Sequence, residues 1–276
     1  MSLNTRGLYP EQFYDLLAKV EPLICQPRTA ANVGRVTQTM MTTETRLVMV
    51  LNWLREGGTY RRLARLYGVN KAFVSREIHH IIPLLYATLD EIQRPSRWPT
   101  YSFFTVKIAG AIDCTAHFRN RVHPKQANYY RRDKRGFLLT AQVVTSLEGV
   151  LLDVHFALGH NNDQGTYALT GMRAFLQGNG LKLLADGGYK DVVSLVCPDD
   201  KKGRSWNNQQ KALRSVVEVA IGMVQHYSYA AQKAQQTPEL QALALMCCYQ
   251  LANINLKRFP LRQLPPPSSA ISLVED

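Results

Sequence analysis

No run of about 18 apolar residues occurs anywhere in the chain, which excludes a helical membrane span. The first residues, Met1-Ser-Leu-Asn-Thr-Arg6, lack the apolar core of a signal peptide. Cysteine is sparse and follows no ligand pattern. The five residues Cys25, Cys114, Cys197, Cys247 and Cys248 form an odd set without C-x-x-C spacing, so neither a disulfide framework nor a structural zinc site is indicated. These absences predict a reduced, intracellular protein. Acid is the other shortage: 21 Asp and Glu stand against 33 Lys and Arg, a net charge of +12. A polyanionic partner explains that excess best, with a merely basic surface as the alternative. Length and composition are otherwise those of a globular protein, with either one large domain or a small one joined to a larger.

The amino-terminal part reads as all-helical. One helix is predicted from Pro10 to Val20, followed by a stretch broken by Pro22, Pro27 and Gly34. From Thr42, Leu47, Val50, Leu51 and Leu54 recur at helical spacing until Gly57-Gly58. Thr59 then caps a second helix to Tyr67, which Gly68 stops. Asn70 caps a third with Val74, Ile78, Ile81, Ile82 and Leu85 inward, and Pro83 is placed to kink or split it.

Ala64, Gly68 and Val74, at i, i+4 and i+10, match a helix-turn-helix, although an ordinary helical hairpin with a basic solvated face has the same spacing. In the motif, Lys71, Ser75, Arg76 and Phe73 approach the major groove, while Arg61, Arg62 and Arg65 suit phosphates. Glu91 to Thr100, with two prolines and little periodicity, reads as a linker.

From Phe103 the pattern turns to strands: Phe104–Asp113, Gly136–Thr145 and Gly149–Ala157, the last two close enough to require an antiparallel hairpin. A helix over Asp163 to about Leu176 leads to a strand ending at Asp186, where Gly187-Gly188 breaks it. Lys190 to Asn208 reads as surface loop. Helices follow from Gln209, with Leu213, Val216, Val217, Ala220 and Val224 inward, and from Pro238 to Asn255. Gly222 inside the first of these hints at the close approach of another backbone or a ligand. The order strand, strand, strand, helix, strand, helices is that of the α/β ribonuclease-H-like fold. The predicted domains are 1–92 (helix-turn-helix), 93–102 (linker), 103–260 (catalytic) and 261–276 (loose tail).

Asp113, Asp186 and Glu218 fall where this topology gathers side chains. Two Mg²⁺ ions, or Mn²⁺, held by such carboxylates would activate an oxygen nucleophile and stabilise the leaving oxygen of a phosphodiester. Each acid has a plainer reading: Asp113 caps a turn, Asp186 starts an Asp-Gly turn, and Glu218 pairs with Arg214 at i, i+4. Joint placement favours the metal reading. Asp153 and Asp163 are further acids, the second a candidate helix cap. The segment from His117 to Gly136 carries Arg119, Arg121, Lys125, Arg131, Arg132, Lys134 and Arg135 around Tyr129-Tyr130, suited to a DNA backbone or to a solvated hairpin. The histidines His117, His123, His155 and His160 form no ligand spacing with the cysteines.

Five blocks in order resemble the PIF/Harbinger group of DDE transposases, to which bacterial insertion-sequence transposases and domesticated Harbinger-derived nucleases are related. The blocks are Gly110-Ala-Ile-Asp-Cys-Thr115, Asp133-Lys-Arg-Gly136, Gly159-His-Asn-Asn-Asp-Gln-Gly165, Leu184-Ala-Asp-Gly-Gly-Tyr189 and Arg214-Ser-Val-Val-Glu-Val-Ala-Ile-Gly222. The resemblance covers about residues 42 to 255. It implies a triad of Asp113, Asp186 and Glu218, metal-dependent cleavage at terminal inverted repeats, and attack of the freed 3′-hydroxyl on target DNA. It further implies double-stranded DNA as partner, a homo-oligomer, a Myb-like accessory protein in eukaryotic members, and a nuclear location in a eukaryote or the nucleoid in a bacterium. Cys114 departs from a usual Gly, Asn162 from a common His, and Val219 from a frequent Arg. A DNA-binding protein that keeps the fold without cleaving, and a nuclease acting outside transposition, are the competing readings.

Overall fold

The computed structural model describes residues 7–25 and 41–264. Pro27, Gly34 and the prolines of the tail lie outside the described residues. The chain divides into two compact units.

The first unit takes residues up to Glu91, together with Gln225–Gln232 and Gln236–Ala252. Its helices are α1 (Pro10–Ile24), α2 (Thr43–Glu56), α3 (Tyr60–Leu66) and α4 (Lys71–Thr88). The predicted caps Thr59 and Asn70 accept from the N–H groups of Arg62 and Phe73, and Thr42 does the same for Thr45, groups that a helix start would leave unpaired. Gly68, at φ 65°, makes the left-handed turn between α3 and α4. Val74, Ile78, Ile81, Ile82 and Leu85 are fully buried, and α4 runs unbroken through Pro83. Arg61, Arg62, Lys71 and Arg76 are exposed and Ser75 partly so. This is the helix-turn-helix region.

The terminal helix α9 (Pro238–Arg258) is divided between the two compact units. Its residues up to Ala252 group with the amino-terminal helices, whereas the sequence assigned them to the catalytic domain. α9 is apolar on several faces, with Ala244, Cys247, Cys248, Tyr249 and Leu251 all buried. Gln250 Nε2 bonds the carbonyls of Tyr86 and Leu89 at the end of α4, satisfying acceptors that a helix end leaves open.

The second unit holds β1 (Tyr101–Phe103), β2 (Val106–Ile108), β3 (Gly110–Arg119), β4 (Tyr130–Arg131), β5 (Gly136–Thr145), β6 (Leu151–Leu158), α5 (Asp163–Leu169), α6 (Met172–Gly178), β7 (Leu183–Leu184), β8 (Leu195–Val196) and α7 (Gly203–Gln225, of which Gln225 falls in the first unit). The helix α8 (Ser228–Ala231) belongs to the first unit. The sheet order is β4-β5-β3-β7-β8, with β6 also paired to β5. β3, β5 and β6 are antiparallel, and β7 and β8 run parallel to β3. This is the ribonuclease-H-like sheet.

Five expectations change. The run predicted as one strand from Phe104 to Asp113 is a small β1–β2 hairpin followed by β3, which continues to Arg119, so Asp113 lies within the strand. The expected linker is anchored: Trp98 is buried in the core under the sheet, and Arg94 pairs with Asp153 at 3.0 Å. The predicted helix after Asp163 is two, split where Gly171 adopts φ 67°. The expected surface loop contains β8 and the first turns of α7. The start of the presumed tail is also held, since Leu261 N–H bonds Glu148 O and Arg262 bonds the carbonyls of Ala212 and Leu213.

Within the helical unit, Arg46 and Glu77 form an ion pair at 2.7 Å with both side chains buried. Removing one partner strands the other charge. Arg46→Ala is therefore expected to lower stability by about 3–5 kcal/mol, measured by chemical denaturation, while the double change Arg46→Met with Glu77→Met costs less.

Candidate active site

Residues alternate faces along β3. Ile112 enters the core formed with α5 and α6, where Tyr167, Met172 and Leu176 pack against Leu183, Ala185 and Tyr189. Asp113 takes the opposite face. The parallel register pairs Gly110 with Leu183 and Ala111 with Leu184. Asp113 and Asp186 each lie two residues beyond the last of these pairs, so they stand abreast on neighbouring chain segments.

The segment after β7 is fixed by its own bonds. Asp186 Oδ1 accepts the N–H of Gly188 at 2.9 Å, the expected Asp-Gly turn. Tyr189 is buried, packs edge-on against Tyr167 and lies 3.4 Å from Cys114 Sγ. Burial pushes the Cys114 thiol up to about 12 and the Tyr189 hydroxyl well above the ordinary tyrosine value, so neither ionises near neutrality.

Glu218 arrives on α7, whose position depends on a residue that sequence reading passed over. Gln210 is fully buried and its Nε2 donates to the carbonyls of Ala185 and Val196, at the ends of β7 and β8. Arg214 and Glu218 follow one and two turns later on the same face. The Arg214 guanidinium lies 2.7 Å from Glu218 and 3.9 Å from Asp113. The predicted i, i+4 pair thus exists and reaches one acid further. Gly222, expected to mark a close approach, has no atom near the position of an added Cβ.

Asp113 is largely buried. Loss of water pushes its carboxyl from 3.8 up to about 6; Asp186 and Asp163 add to the rise, and the Cys114 N–H and Arg214 oppose it. The three acids are electrostatically linked, but they do not form a closed ligand set. Among the described residues no group of three His, Cys, Asp or Glu is close enough to hold a metal ion.

The basic segment divides into two kinds of cation. Arg132, Lys134 and Arg135 are exposed. Arg131, also expected on DNA, is buried instead, bonded to Asp133 at 3.0 Å and Asp163 at 3.1 Å. Its guanidinium is committed inside the fold. Asn162, with its side chain accepting from Gly165 N–H, caps α5 in place of Asp163, whose carboxylate serves Arg131. Arg131, Lys134 and Asp163 line a cavity of about 270 Å³ with Cys114, Thr115, Ala116 and Phe118.

The raised Asp113 carboxyl has a defined consequence. Below pH 3.8 it is neutral folded or unfolded; as pH rises through about 6 the folded state must ionise a buried acid, and stability falls. Asp113→Asn should match the parent at pH 4 and exceed it by up to about 3 kcal/mol at pH 8, read from urea midpoints without divalent metal. Equal pH profiles would refute the buried-acid account.

No curated protein and no solved structure matches the chain. Two family models do: the helix-turn-helix of DDE superfamily endonuclease over residues 39–91, and DDE superfamily endonuclease over residues 112–253, more than half of the chain. A helix-turn-helix joined to an endonuclease domain makes DNA the partner. The chain belongs to the DDE superfamily endonucleases.

Proposed function

We propose that this protein is a transposase of the PIF/Harbinger type that cuts phosphodiesters at terminal inverted repeats and joins the freed 3′ ends to target DNA. The observation that carries the reading is the β3–β7 register, which sets Asp113 abreast of Asp186, with Arg214 tying Glu218 to Asp113. The donor set suits a hard divalent cation. All three acids offer oxygen, and the Arg214 guanidinium stands 3.9 Å from Asp113 Oδ2. Asp113, Asp186 and Glu218 are the residues that would hold Mg²⁺ or Mn²⁺, and a divalent ion bound there would supply charge neutralisation at the phosphoryl group.

The remaining roles belong to the chain itself. Gln210 holds α7 to the strand ends and sets the reach of Glu218. Arg214 balances the acids. Arg132, Lys134 and Arg135 present free cations to phosphates, and in the helical unit Lys71, Ser75 and Arg76 face the groove while Arg61 and Arg62 meet the backbone. Two DNA ends must be held together for joining, so a homo-oligomer is part of the proposal, as is a Myb-like accessory protein for a eukaryotic host. A DNA-binding protein without cleavage is the second reading. It draws support from Arg214, whose charge already serves two of the three acids.

Purified protein incubated with inverted-repeat DNA and Mg²⁺ or Mn²⁺ is expected to nick it, and Asp186→Asn to lose at least a hundredfold in rate, about 2.7 kcal/mol of barrier. Cleavage that persists in the variant refutes the triad; cleavage by neither favours the binding reading. Arg76→Ala should weaken duplex binding and flatten the salt dependence by about one unit of slope, with the fold unchanged. An unaltered slope would return α3–α4 to an ordinary hairpin.

A further inference from the structure

The β1–β2 hairpin has a feature that its fold does not require. Phe103 pairs with Val106, leaving a two-residue loop of Phe104 and Thr105. The first position of such a loop takes positive φ in the II′ turn and ordinarily carries glycine. Here Phe104 occupies it at φ 49°, a backbone region costly for a bulky residue. Its ring is not spent on the core, since Phe104 is 54% exposed. An apolar ring held in water on a strained backbone is destabilising on two counts. Thr105 and Lys107 beside it are exposed as well.

The ring has aromatic support. Trp206, in the first turns of α7, lies 6.5 Å from Phe104 with the planes inclined by 30°, and both rings contact the buried Phe103 at 5.0 and 5.4 Å. On the elements that carry these rings, Lys107 in β2 and Lys201, Lys202 and Arg204 just ahead of Trp206 are all exposed. Asp199, which accepts from Lys201 N–H, and Asp200 are the opposing charges there. An open aromatic face on elements that also carry exposed cations fits a base stacked on the ring with its phosphates on the lysines. Trp206 and Glu218 are 12 residues apart on one helix, about 18 Å, or roughly five nucleotides of a strand.

We propose that Phe104, backed by Trp206, is a stacking platform for an unpaired nucleobase of the DNA strand, about five nucleotides from the bond at the acidic site. The inference rests on the DNA-processing reading and adds to it a site for single-stranded character at the DNA end.

The test uses the full chain and fluorescence anisotropy with two probes: a blunt duplex, and the same duplex with a six-nucleotide single-stranded extension. The parent protein should bind the extended duplex more tightly. Phe104→Ala and Phe104→Leu should lose about 5- to 100-fold on the extended duplex, with blunt-duplex affinity unchanged, and Phe104→Trp should retain it. Phe104→Gly serves as the folding control, because glycine relieves the strained φ: it should melt no lower than the parent and still lose the extension-dependent binding. The proposal is overturned if Phe104→Ala binds both probes like the parent, if Leu serves as well as Trp, or if the variants alter self-association in sedimentation and leave both affinities intact. Failure of the parent to bind either duplex overturns the DNA reading together with this one; loss confined to the extension in the variants supports the platform.

Discussion

A buried carboxylate in the interior of a central strand is the constraint on which the catalytic unit turns. Asp113 cannot be ionised there without a countercharge, and water reaches it poorly. The structure supplies one cation, Arg214, and fixes it by a chain of dependencies. Gln210 must hold α7 to the ends of β7 and β8, which places Arg214 one turn later against Asp113, and Glu218 one turn after that against the other side of the same guanidinium. Asp186 is brought alongside by the parallel register and locked by its turn and by the buried Tyr189. One cation shared between two acids, with a third nearby, leaves the site short of positive charge. On the proposed reading, divalent cations would make up that shortage.

Some of this was legible in the sequence because it is local. Thr42, Thr59 and Asn70 announce helix starts by their own side-chain chemistry, and β5 begins at Gly136 and ends at Thr145 as its apolar run does. The run before Asp186 and its glycine break were local signals too, whereas Asp113 was expected at a strand end and lies inside β3. What was missed depends on distant partners. β3 extends to Arg119 although His117 and Arg119 look like loop residues, because both are buried among neighbours that the pattern does not name. β1, β2 and β8 are two or three residues long, too short to show a period. α9 reads as a packing helix, and nothing in its pattern says which core it joins. Charge is equally ambiguous: Arg131 and Arg132 are identical neighbours in sequence, yet Asp163, 32 positions away, takes the first inside and leaves the second outside.

That division of the arginines changes what the net charge means. Arg46, Arg94, Arg131 and Arg214 are all paired with acids in sheltered positions, so they contribute to the fold and little to the outer field. The surplus of +12 therefore resides on cations such as those of α3, α4, the β4–β5 turn and the start of α7, where a polyanion can reach them.

The local balance at the acids runs the other way. Asp113, Asp163, Asp186 and Glu218 are served there by Arg131 and Arg214. A DNA strand drawn in by the outer field would meet net negative charge where the proposed reaction takes place, and at short range, with little water between, that repulsion outweighs the screened attraction from lysines further out. Binding and cutting consequently place different demands on this protein. Exposed cations suffice for the first, whereas the second needs additional positive charge delivered between the acids and the phosphate. On the proposed reading, divalent ions would answer the electrostatics of the site before any chemistry is considered.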